Sequence, residues 1–150
     1  MRFVIQRVTT ARVETEEGIV GQIGTGYMVL IGVCEEDNMQ TADKLVKKML
    51  GLRIFEDDQG KTNLSLDSVG GSLLLVSQFT LYADCKKGNR PSFINAGSPE
   101  HAEDLYNYIV GSCRAAIGAD RVATGTFGAH MAVSLTNNGP FTIILDSDQL

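Results

Sequence analysis

The chain has 150 residues, 43% of them hydrophobic, and a formal net charge of −5. This length fits one domain, 1–150, with a core of its own. The charge argues against a protein that coats nucleic acid nonspecifically, and no stretch approaches the ~18 apolar residues of a membrane span.

From the N-terminus, Phe3 to Val13 alternates loosely and is rich in Val, Ile and Thr. Arg2, Arg7 and Arg12 interrupt it too often for a signal-peptide core, so a cytoplasmic location is expected. Glu16-Glu17-Gly18 marks a turn into Ile19 to Ile23, which predicts an opening hairpin. Tyr27 to Val33 is a continuous apolar run, as in a buried strand. Ala42, Leu45, Val46, Met49 and Leu50 share one face of a predicted helix. Arg53 to Glu56 and Thr62 to Leu66 flank Asp57-Asp58-Gln59-Gly60, a turn signal that predicts a second hairpin. Ser72 to Tyr82 reads as one long strand interrupted by polar Ser77-Gln78.

Ser98-Pro99-Glu100 supplies an N-cap serine, a proline at the first helical position and an acid at the positive helix end. The predicted helix buries Ala102, Leu105, Tyr106, Ile109 and Cys113 and stops at Gly118. Arg121 to Thr124 begins a strand, and Met131 to Leu135 and Phe141 to Leu145 supply two more around Asn138-Gly139-Pro140. Many strands with two main helices predict an α+β fold on a mostly antiparallel or mixed sheet.

The usual tools of side-chain catalysis are scarce. Of the two histidines, His101 falls in an exposed first helical turn, and His130, the better candidate for a base, precedes a strand, where a lone histidine is more often packing or surface than catalytic. HExxH, GxSxG and GxxxxGK[ST] are absent. Cys34, Cys85 and Cys113 form no CxxC pair and read as packed, reduced thiols. No metal and no cofactor are expected. Asp57 with Asp58 reads as a solvated turn. Ser77, Gln78 and Thr80 place polar groups in an otherwise apolar run, where an unsatisfied one costs ~1 to 3 kcal/mol, so they either reach solvent or line a pocket. Lys86, Lys87 and Arg90 gather in one loop, which alone is an ordinary solvated surface.

Four stretches taken together carry a resemblance: MRFVIQRVTTARV at the start, SQFTLYADCKKGNRPSF at 77–93, TGTFGAHMAVSLTNNGP at 124–140, and FTIIL after it. Over essentially the whole chain they resemble the D-aminoacyl-tRNA deacylase family. SQFTL separates the chain from a sister group marked by a PQATL-like segment. His130 stands where the family usually has aspartate, in FGADM.

The resemblance implies a barrel-like sheet, a homodimer, and hydrolysis of the ester joining a D-amino acid, or glycine, to the terminal adenosine of tRNA. Neither a membrane nor DNA is an expected partner. Ser77, Gln78, Phe79 and Thr80 would line the catalytic pocket, with main-chain N–H groups near Phe79 and Thr80 facing the oxyanion. Gly139-Pro140, with Asn138, would be a cis peptide inserted into the partner subunit's site, where it rejects L side chains. Arg7 would hydrogen-bond around that segment; the alternative is a surface cation on an edge strand. Phe127, Gly128 and Met131 would hold the terminal adenine, or else be core. Lys86, Lys87 and Arg90 would contact phosphates. Two other readings stay open: a tRNA-end binding module without turnover, and an esterase built on Ser77 or Thr80 with His130.

Overall fold

The strands are β1 (Arg2–Thr15), β2 (Gly18–Ile23), β3 (Gly26–Gly32), β4 (Phe55–Glu56), β5 (Thr62–Leu64), β6 (Ser72–Ser77), β7 (Val122–Thr124) and β8 (Ala132–Asp146). The helices are α1 (Met39–Gly51) and α2 (Pro99–Ile117). This computed structural model describes residues 1–150.

β1 is the central strand. Its first half pairs antiparallel with β3 and its second half with β2. Ala11 opposes Ile23 and Val8 opposes Gly26, so the register carries through and β2 with β3 forms one long bent strand on the same edge of β1. β6 adds parallel to β3, β7 adds parallel to β6, and β8 covers the other edge of β1. A Cβ added to Gly21 would lie 2.3 Å from the Thr124 carbonyl oxygen, so glycine lets β2 curl against β7 and nearly close the sheet. The result is the expected mixed, barrel-like sheet with two helices.

Side chains divide by the period of two. Tyr27, Val29 and Ile31 of β3 and Leu73 and Leu75 of β6 pack with Ala42, Leu45 and Met49 of α1 and Leu105 and Ile109 of α2. Met28, Leu74 and Val76 join Val8, Ala11, Val13 and Ile23 in a second, smaller core. Burial on both faces is the physical reason that β3 and β6 read as unbroken apolar runs. Each helix starts where its cap dictates: Asn38 accepts from the Thr41 N–H at 2.9 Å, and Ser98 accepts from the His101 N–H at 3.4 Å.

Three expectations are corrected. Ser72 to Tyr82 is not one strand: β6 ends at Ser77, and Phe79–Tyr82 is a 3₁₀ turn. The neighbouring β3 has run out there, so after the Gln78 N–H donates to Ile31 at 2.8 Å the chain has no ladder left to follow. The stretches on either side of Asn138-Gly139-Pro140 are not two strands around a turn but one strand, β8, lying along β1 throughout. Gln6 opposes Thr142 and Val8 opposes Asn137, which leaves residues 138–141 to bulge opposite the single residue Arg7. Cys85 is exposed rather than packed, because it lies in the surface loop just past the Asp84–Ser92 bridge; Cys34 is half-buried and Cys113 is buried as expected.

Candidate active site

The open end of the β3–β6 pair, where Ile31 faces Ser77, is the floor of the site. A cavity of about 570 Å³ opens between these strand ends, the first turns of α2 and the segment 127–131. Ser77, Gln78 and Phe79 line one side of it, and Phe127, Gly128 and Met131 the other. Two sequence stretches some fifty residues apart thus meet in one cavity. Thr80 is exposed and outside the lining; its hydroxyl takes a 2.5 Å hydrogen bond from the Gln78 side-chain amide. No carboxylate or imidazole is its partner, so nothing there raises the nucleophilicity of that oxygen.

The turn that carries Phe79 and Thr80 is held from two sides. Arg2 donates through Nη1 to the Leu81 carbonyl at 2.8 Å and through Nε to Asp146 at 2.9 Å, and its guanidinium lies 4.5 Å from the Tyr82 ring centre. Burial pushes the Asp146 carboxyl up, yet the Asp148 N–H and Arg2 outweigh it and hold the group below the usual carboxylate range. Gly32 provides the other support, since a Cβ there would come 2.9 Å from the Leu81 Cβ. Neither Arg2 nor Gly32 stands out in the sequence; only the close approach of the turn to β3 singles them out.

Tyr106 of α2 is the buried wall. Its hydroxyl donates to the Leu75 carbonyl at 2.7 Å, and its ring stands 5.9 Å from that of Phe127. Burial pushes the phenol up to about 12, so it is a neutral donor throughout the neutral range. Tyr106→Phe is expected to cost about 1 kcal/mol of stability, read as a lower urea midpoint with the slope unchanged.

His130 also lines the cavity, on its exposed side. His101 does not; it is half-buried, with its ring nitrogen 2.9 Å from the Asp37 carbonyl oxygen, a structural contact rather than the free surface position expected. Asp57 is a turn residue: the N–H groups of Lys61 and Gln59 hydrogen-bond its carboxylate, and its carboxyl is lowered first by the Lys61 bond.

Lys86, Lys87 and Arg90 lie outside the cavity, exposed on a loop closed by Asp84 and Ser92, which exchange backbone hydrogen bonds of 2.7 and 2.8 Å. Phe93 follows that closure, and its ring meets Phe79 edge-on at 5.1 Å.

Arg7, Asn138, Gly139 and Pro140 form a separate group. Arg7 is only 5% exposed, so it is no surface cation. Its Nε donates to the Asn138 carbonyl at 2.8 Å and its Nη1 to the Ile54 carbonyl, and Phe141 covers the guanidinium at 4.5 Å. The Gly139–Pro140 peptide is cis. Arg7 pairs with Tyr27, and Tyr27 with Leu73, four residues before Ser77. The bulge therefore sits about 13 Å down the strands from the Ile31–Ser77 floor of the cavity.

The profile of the D-Tyr-tRNA(Tyr) deacylase family matches residues 4–146. A protein of Desulfatibacillum aliphaticivorans named D-aminoacyl-tRNA deacylase is 54% identical over 98% of this chain and 99% of its own. One of the same name from Clostridioides difficile is 51% identical over 99% of each chain. Among solved structures, one titled c-Myc DNA Unwinding Element Binding Protein superposes with a TM-score of 0.92 at 39% identity, covering 97% of this chain and 98% of that one. Another, titled as a probable eukaryotic D-amino acid tRNA deacylase, shares the fold at a TM-score of 0.84 and 21% identity, covering 96% and 97%. With matches that run from end to end, the chain belongs to the D-Tyr-tRNA(Tyr) deacylase family, whose members are hydrolases acting on ester bonds.

Proposed function

We propose that the protein is a homodimeric hydrolase that releases D-amino acids and glycine from the 3′ end of tRNA and spares L-aminoacyl-tRNA. The observation that carries this reading is the convergence of Ser77-Gln78-Phe79 with Phe127-Gly128 and Met131 on one cavity, with the Gly139-Pro140 bulge far outside it. A cavity of that size suits a nucleoside bearing an amino acid.

The ester is already activated, so the protein's part is to hold it and to stabilise charge. Phe79 and Thr80 open a helical turn, where the turn's own ladder leaves N–H groups unused. Two such donors directed at the carbonyl oxygen would stabilise the oxyanion without a side-chain base. The neighbouring ribose 2′-hydroxyl would assist the attacking water. Phe127 and Met131 would hold the terminal adenine.

Chirality would come from the bulge at residues 138–141. It is too far from its own chain's cavity, and β8 has one edge without a partner strand. A second copy brought against that edge would deliver Gly139-Pro140 to the cavity, its carbonyls accepting from the substrate ammonium. An L side chain would then strike the bulge, a D side chain would point to free space, and glycine would have nothing to exclude. Net charge −5 with three cations gathered in one loop favours a short single-stranded contact over a duplex track.

The test is amino acid release from D-tyrosyl-tRNA, L-tyrosyl-tRNA and glycyl-tRNA, side by side. Loss of the D and glycyl esters with the L ester intact supports the reading; loss of all three points to an unselective esterase, and loss of none to a binding module. His130→Ala separates the esterase further. It is expected to change the rate on D-tyrosyl-tRNA by no more than a few-fold, whereas removing a general base costs about 100-fold or more.

A further inference from the structure

We propose that Phe93 and the loop behind it form a second binding site, a stacking platform for the unpaired nucleotides that precede the terminal adenosine. The inference rests on the deacylase reading for its substrate and for the loop's cations, and adds the stacking ring Phe93, which that reading does not use. Four features meet here. Phe93 is 37% and Phe79 55% exposed, although each is a large apolar ring. They stand edge-on at 5.1 Å, so one ring supports the other. Ile94, next to Phe93 in sequence, is 83% exposed. The preceding loop carries Lys86, Lys87 and Arg90, all exposed.

Exposed aromatic rings next to clustered cations are the chemistry of single-stranded nucleic acid sites, in which bases stack on rings and phosphates meet ammonium and guanidinium groups. A protein surface pays for such rings in water unless something covers them. The placement is also rigid. The paired backbone hydrogen bonds between Asp84 and Ser92 close the loop one residue before Phe93, and Asp84 accepts from the Lys86 N–H at 2.9 Å. The ring and the cations are thus held on one frame, and Phe79 joins that frame to the cavity wall. A strand leaving the cavity past Phe79 would meet Phe93 next, and the cation-bearing loop is joined to Phe93 through the Asp84–Ser92 bridge. The occupant is single-stranded RNA continuous with the nucleoside in the cavity.

The experiment compares the unsubstituted protein with Phe93→Leu, which keeps apolar bulk but removes the π-face, and with Phe93→Tyr, which keeps it. Binding of the unacylated RNA tetramer ACCA is measured by fluorescence anisotropy, with adenosine monophosphate as the ligand that reaches only the cavity. Phe93→Leu is expected to weaken the tetramer about tenfold and adenosine monophosphate much less, while Phe93→Tyr stays within about twofold of the parent. The ratio of kcat/KM for D-tyrosyl-tRNA over D-tyrosyl-adenosine should fall in parallel. Equal losses on both ligands would make Phe93 a mere support for Phe79, and tetramer binding unmoved by Phe93→Leu would leave the ring without a base; either result overturns the platform. Tetramer binding that depends on Phe93 in a protein that hydrolyses neither ester would uphold the platform and overturn the deacylase reading instead.

Discussion

Arg7→Met is expected to raise the ratio of L-tyrosyl-tRNA to D-tyrosyl-tRNA hydrolysis by tenfold or more. Methionine has similar reach, but it donates to neither carbonyl that Arg7 holds, Asn138 on β8 and Ile54 before β4. A bulge whose Asn138 carbonyl is released can shift, and a misplacement of about 1 Å in a positioning element costs on the order of 100-fold in discrimination or rate. The substitution also strips hydrogen bonds from two carbonyls facing a 5%-exposed side chain, at about 1 to 3 kcal/mol for each one left unsatisfied. A ratio of rates is independent of the fraction folded, so the chiral effect is separable from the loss of stability. Arg7→Lys tests the geometry: one ammonium keeps the charge but lacks the fork that reaches both carbonyls, and an intermediate ratio is expected. An unchanged L-to-D ratio in both variants would mean that the bulge has no part in selection.

The largest loss of stability is expected at Gly26. A Cβ there would lie 1.8 Å from the Ser72 carbonyl oxygen and 2.7 Å from the Ser72 nitrogen, and the residue has φ +156°. Gly26 opposite Ser72 is also where the parallel β3–β6 ladder begins, six residue pairs that end at Ile31 and Ser77 on the cavity floor. Gly26→Ala must push those strands apart at their root, and a loss of about 4 kcal/mol is expected, a large part of the ~5 to 15 kcal/mol by which a domain is stable. Gly111→Ala is the control. It lies in the interior of α2 with nothing within 4 Å of the added Cβ, so it is expected to gain about 0.5 to 1 kcal/mol. Urea midpoints decide both, and a Gly26→Ala midpoint close to the parent's would show that the two strands can part there at little cost.

Much of the local architecture is legible in single residues. Ser98 marks the start of α2 because a side-chain oxygen beside an unpaired N–H acts within one turn of chain, and Asn38 caps α1 in the same way although the apolar face alone announces that helix. Tyr27 to Val33 reads as a buried strand, and β3, one residue earlier at each end, is buried on both faces. The reading fails where the outcome depends on a neighbour that the local sequence does not contain. Phe79–Tyr82 has strand-like composition, yet it turns because β3 has ended beside it. Asn138-Gly139-Pro140 has turn chemistry, yet it remains in a strand because β1 runs alongside without a break and Arg7 holds the bulge. The supports of the turn, Arg2 and Gly32, carry no local signal, since each matters through contact with a distant segment, and the helical period marks Tyr106 as buried without showing its bond to Leu75.

By itself, then, the sequence determined most of the element types, the cap of the second helix, the apolar faces and the motifs that tie the chain to its family. All of these rest on short-range dihedral preferences, on the periods of helix and strand, or on direct similarity. The tertiary structure alone decided that the stretches at 77–79 and 127–131 share one cavity and that the bulge at 138–141 lies about 13 Å down the strands from its floor. That distinction follows from nonlocal pairing: β6 parallel to β3, and β8 along β1, join residues far apart in the chain, and a cavity at the end of such ladders exists only once they have formed.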